Sequence, residues 1–206
     1  RPHKGGSRIW TMKNILYTII LSFLFSFSVF ADFQAGVDAL NAGDYATAYK
    51  EFKTLAEQGD SEAQHYIGLM HDEGEVVTQD SKEAEKWFRL AAAQGLAQAQ
   101  FNLGQMYVKG QGVTQDYKEA TKWWRLAAEQ GYANAQYNLA LIYGEGINVI
   151  KNYVIAHMWF NIAASNGYED AKKGIDFLAG QMTSEQVVKA QELARQCIEK
   201  NYKDCG

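Results

Sequence analysis

His65, His71 and His157 are the side chains of this chain best suited to carrying a proton or a ligand near neutral pH. His71 stands beside Asp72, Glu73 and Glu75 in the stretch HDEGE, a grouping that could attract a divalent cation. Trp87, Trp123, Trp124 and Trp159 could form a ladder on which a sugar or another flat ligand stacks. Cys197 and Cys205 could bind a metal or each other. No S-x-x-K, H-E-x-x-H, G-x-S-x-G or G-x-x-x-x-G-K-[ST] occurs. Acylating serine, zinc-activated water and phosphate-cradling chemistry therefore all lack their motif.

Each of these candidates changes meaning once the spacing is read. The stretch 74–95, GEVVTQDSKEAEKWFRLAAAQG, returns at 110–131 as GQGVTQDYKEATKWWRLAAEQG, 36 residues later, with 16 of 22 positions identical. The same step links Gly59, Gly95, Gly131 and Gly167, then Gln64, Gln100 and Gln136, then Asp80, Asp116 and Asn152. It also links Trp87, Trp123 and Trp159. A period held over so many columns is the mark of stacked structural units. In that frame the tryptophans share the helical phase of the small apolar residues and are expected to pack between units. His65 takes the column of Phe101 and Tyr137, and His71 that of Tyr107 and Tyr143, so both read as packing residues. His157 falls in the variable column of Glu85 and Thr121. The acids of HDEGE are not kept in YVKGQ and YGEGI, so that segment reads as a solvated loop, and no metal or cofactor is expected.

Each unit reads as two helices. The first is expected over 61–72, 97–108 and 133–144, with Ala63/Ala99/Ala135, Ile67/Leu103/Leu139 and Met70/Met106/Ile142 on one stripe. Gly74, Gly110 and Gly146 suit its C-terminal cap. The second begins at Asp80, Asp116 or Asn152, good N-cap residues. Its stripe holds Ala84, Trp87, Phe88 and Ala91 and their repeats. Such a hairpin cannot cover its own apolar stripes, and stacking about three of them gives a continuous core. The expected organisation is a partial unit at 32–59, units at 60–95, 96–131 and 132–167, and capping helices over 168–206. Thr183-Ser184-Glu185-Gln186 supplies a capping-box start for the last helix, whose buried stripe is Val187, Ala190, Ala194 and Cys197.

The pattern of AQAQFNLGQMYVKG followed by G-V-x-x-D-x-x-x-A-x-x-W-x-x-x-A-A-x-x-G resembles the Sel1-like repeat family, longer relatives of tetratricopeptide repeats. The resemblance implies an all-α, right-handed α/α superhelix that works as an adaptor for protein complexes. Some cysteine-rich exported relatives are described as β-lactamase-like, which makes a hydrolase the alternative. Those carry a disulfide within each repeat, and the repeats here hold no cysteine. A non-enzymatic scaffold is the expectation.

In the arrangement the resemblance implies, the first helices line a concave face. A second, non-repeating stripe on them supplies Tyr66 and Leu69, then Gln98, Asn102 and Gln105, then Asn134, Asn138 and Leu141. Amide side chains can both donate to and accept from an extended backbone, and the apolar members could receive side chains. These residues are the candidate site, and a protein or peptide is the candidate partner.

Location and charge complete the reading. Met12-Lys13-Asn14 followed by ILYTIILSFLFSFSVFA, with small residues before Asp32, fits a secretory signal over 12–31, residues 1–11 lying upstream of the start. Its removal would leave no stable membrane span and a periplasmic or secreted chain. In that setting Cys197 and Cys205 pair most simply as one disulfide. Arg1, Lys4, Arg8 and Lys13 would leave with residues 1–31, so that 16 basic residues face 24 acidic ones. A chain so acidic repels phosphate backbones, which argues against nucleic acid as partner.

Overall fold

The computed structural model describes residues 33–74 and 76–205; the expected signal segment lies outside the described residues, as do residues 1–11. The described chain is entirely helical. A helical segment α1 covers 33–41. It is followed by α2 (Tyr45–Glu57), α3 (Ser61–Glu73), α4 (Ser81–Ala93), α5 (Ala97–Lys109), α6 (Tyr117–Ala128), α7 (Ala133–Glu145), α8 (Tyr153–Ser165), α9 (Ala171–Ala179) and α10 (Ser184–Glu199). Each helix packs on the next from α2 to α9, and α10 folds back onto α8. Neighbour packs on neighbour along the chain, as in a solenoid.

The helix ends follow from their residues. Asp80, Asp116 and Asn152 each accept a hydrogen bond from the first turn of α4, α6 and α8. Gly74, Gly110 and Gly146 close α3, α5 and α7 with φ between 67° and 76°, a left-handed geometry that costs a side chain strain. Thr183 and Gln186 form the reciprocal capping box of α10.

Small residues set how closely the helices approach. A methyl group built on Gly68 would stand 2.7 Å from the Phe88 ring, and one on Gly104 would stand 2.5 Å from Trp124. The aromatic rings of α4 and α6 therefore lie on the bare backbone of the helix before them. Ala63, Ile67, Ala99, Leu103, Ala135 and Leu139 are fully buried between them. Burying a side chain of leucine size is worth about 1.5–3 kcal/mol, and every unit repeats that gain.

The last unit departs from the pattern for a reason visible in its sequence. Lys86 and Lys122 are exposed on α4 and α6, whereas their counterpart Met158 is buried under α10. Leu90 and Leu126 are each 44% exposed, whereas Ile162 is fully covered. His157, expected at a variable position, is likewise fully buried. The correction has one cause: α10 turns the exposed side of α8 into an interior.

Candidate functional site

The candidate stripe runs along α3, α5 and α7, and the structure divides it into three groups. Tyr66 belongs to packing. Its ring stacks on Phe52 with centroids 4.5 Å apart and planes 5° from parallel, with Phe33 at 6.0 Å. Leu69 is half-buried against the core shared by its own unit and the next.

Asn102 is engaged between units. Its Nδ2 lies 3.0 Å from His65 Nε2 of the preceding unit. Burial pushes the His65 pKa down to about 4, so the ring is neutral at pH 7 and its Nε2 accepts from the amide. His65 also packs at 5.7 Å from the Phe88 ring. It is a packing histidine, as its column suggested. His71 likewise sits edge-on to Tyr49, with Nε2 3.5 Å from the Tyr49 hydroxyl. His157 takes the Asn161 amide at Nδ1, 2.7 Å away.

Gln98 and Asn134 are exposed, and Gln105 and Asn138 are half-buried on the same helix faces. None of the four has a hydrogen-bonding partner among the described residues. Leu141 then lines a hollow of about 580 Å³ between α7, α8 and α9, with Tyr137, Gly144, Phe160 and Phe177 among its walls. The hollow exists because α9 is 9 residues long where α7 has 13, so it leaves part of the α7–α8 hairpin uncovered. Phe177 is 67% exposed at its edge. Lys151 and Lys173 stand around it with Glu145.

One column whose role the sequence did not reveal holds the units together. Gln64, Gln100 and Gln136 are buried and donate through Nε2 to the carbonyls of Ala56, Ala92 and Ala128 at 3.0–3.2 Å. Each then accepts at Oε1 from the turn that ends the following second helix, from Gln94, Gln130 and Asn166 at 2.8–2.9 Å. The column was legible at the 36-residue step; its two-sided bonding was not, because the partners lie 8 and 30 residues away.

Cys197 and Cys205 are joined, with Cα atoms 5.4 Å apart. The loop they close lies against the α6–α7 turn. Tyr202 donates to Asn166 Oδ1 at 2.9 Å, and Arg125 Nη1 donates to the Cys205 carbonyl at 2.9 Å. Among the described residues no three His, Cys, Asp or Glu side chains gather as a metal site. No helix among them is long and apolar enough to cross a membrane.

A stack of two-helix units tied by a buried glutamine column defines a helical repeat scaffold. The family model described as Sel1 repeat matches residues 61–96, 97–132 and 133–168, and the chain belongs to that family. These bounds run one residue later than the 60–95, 96–131 and 132–167 expected from the glycine columns. Among solved structures, the chain is similar to a Sel1 repeat protein from Oxalobacter formigenes, with 31% identity and a TM-score of 0.70 over 82% of this chain and 74% of that one. It is also similar to a protective antigen present in uropathogenic Escherichia coli strains that displays an SLR fold, with 30% identity and a TM-score of 0.60 over 86% of this chain. The match takes in 47% of the antigen, so the chain spans about half the length of that relative. Comparison with curated proteins gave no match.

Proposed function

We propose that the chain is a non-enzymatic scaffold of the bacterial envelope, periplasmic or secreted, that holds a protein or peptide segment along the face presented by α3, α5 and α7. The observation that carries this reading is the row of uncommitted amides, Gln98, Gln105, Asn134 and Asn138, leading to the Leu141 hollow. An extended backbone would satisfy the amides, and an apolar side chain would enter beside Phe177 and Tyr137. Asn102 contributes less, because His65 already holds its amide. The disulfide fits an oxidising compartment.

The test replaces Gln105 and Asn138 by alanine together and measures retention of a partner captured from an envelope extract by the intact protein. The variant is expected to keep its helicity and lose the partner. Retention at the unaltered level would place binding elsewhere.

A further inference from the structure

The chain carries a binding site twice and fills it once. Arg125 is pinned by the hydroxyl of Tyr143, which accepts from Nη2 at 2.6 Å; Nη1 then holds the backbone carbonyl of Cys205. Three residues before Cys205, Tyr202 lies over Gly131, where an added methyl would stand 3.1 Å from its ring. Its hydroxyl donates to Asn166. The site is thus an arginine aimed by a tyrosine, a glycine with room above it, and an amide oxygen. Its occupant is a tight turn, in which Asn201, Tyr202 and Asp204 all have φ between 50° and 65°.

One period earlier stand Arg89, Tyr107, Gly95 and Gln130. Arg89 Nη2 donates to the Tyr107 hydroxyl at 2.9 Å, the same aim as in the filled copy. Its Nη1, the group that grips the tail in that copy, has no partner among the described residues. Gly95 has φ of 94° and nothing within 4 Å of an added methyl. Gln130 spends its Nε2 on Gln100 and keeps its oxygen, as Asn166 keeps Oδ1 for Tyr202. Two differences separate the copies: Gln130, one methylene longer, stands where the later unit has Asn166, and a carboxylate joins the arginine. Glu85 pairs with Arg89 where the later unit has Thr121. That carboxylate holds the guanidinium in place and disfavours an acidic ligand.

We infer that Arg89, Tyr107, Gly95 and Gln130 form a second docking site, on the edge of the stack and apart from the amide face. Its ligand is a partner's turn carrying a tyrosine with a free backbone carbonyl three residues later. The chain's own tail defines that chemistry. Because its bound form is a left-handed turn closed by a disulfide, a constrained segment binds better than a loose one.

The probe is a labelled synthetic peptide with the sequence of residues 196–206, oxidised between its two cysteines and titrated against the intact protein by fluorescence anisotropy. Saturable binding is expected. Arg89→Met should weaken it about tenfold or more by removing a charged donor, while Arg125→Met leaves it within about twofold. The reduced peptide should bind several-fold more weakly. Far-ultraviolet circular dichroism on both variants checks that the fold survives. Three results would each overturn the inference: no saturation at millimolar peptide, equal effects of both substitutions, or a loss only with Arg125→Met. The last would mean that the peptide merely exchanges with the chain's own tail. Loss of the amide-face partner in the Gln105 and Asn138 double variant bears on the other surface alone, so the two readings fail separately.

Discussion

Gln130 Nε2 donates to Gln100 Oε1 within one unit at 2.8 Å, while Gln100 Nε2 donates to the Ala92 carbonyl of the preceding unit at 3.2 Å. One buried amide thus satisfies the end of the helix before it and is satisfied by the turn after it. Replacing Gln100 by leucine keeps the volume and abandons both bonds. The Ala92 carbonyl keeps the Gly95 amide as a donor, so the cost is that of two lost hydrogen bonds, about 1–3 kcal/mol together. The melting temperature should fall by several degrees in a thermal scan. No fall would mean that water replaces the amide at no cost.

Gly104 lies under Trp124 with no room for a methyl. Gly104→Ala gains helix propensity, worth about 1 kcal/mol, yet forces apart α5 and α6 at a cost of about 1–3 kcal/mol or more. The net effect in urea denaturation should be a loss of stability. Ala140 holds the equivalent place in the next unit and is fully buried, so Ala140→Gly should cost about 1–2 kcal/mol through lost propensity and a lost buried methyl.

His65 predicts the response to acid. Burial lowers its pKa in the folded chain from 6.5 to about 4. Between those values the unfolded chain binds the proton and the folded chain does not, so stability falls as pH drops from about 6.5 to 4. His71 and His157 shift in the same direction, also chiefly through burial. Unfolding free energies from denaturant titrations at pH 7 and pH 4.5 should differ by up to a few kcal/mol. His65→Phe, which copies the Phe101 column, should shrink the difference. An undiminished difference would assign the acid response to other groups.

The disulfide ties α10 to the loop that reaches Arg125 and Asn166. Changing Cys197 and Cys205 to serine should cost about 2–4 kcal/mol. Hydrogen exchange should rise first in α10 and at the α8 surface it covers. Uniform loss of protection along the whole stack would show that the cap is not a separate unit of stability.

How much of this was legible in the sequence depends on whether a contact repeats. Asp80, Asp116 and Asn152 cap helices through bonds to the next few residues, and Gly68 and Gly104 recur beside their aromatic partners. Periodicity exposes both. The burial of His157 does not repeat, because α10 covers α8 alone; the replacement of Lys86 and Lys122 by Met158 was the available signal. The clasp between Arg125 and Cys205 spans 80 residues and leaves no periodic trace. Tyr66 shares a column with Asn102 and Asn138, yet it stacks on Phe52 because α1 and α2 precede it in place of a full unit. On the candidate face, sequence found the stripe. Only the structure separated the amides already held by neighbours from those left available.

That available face is the proposed seat of the partner. A photo-crosslinking amino acid placed at Asn138, and in a second protein at Lys189 on the exposed side of α10, reads it directly in cells. A discrete protein adduct from position 138 and none from 189 is the predicted result. Adducts from 189 with none from 138 would contradict the account.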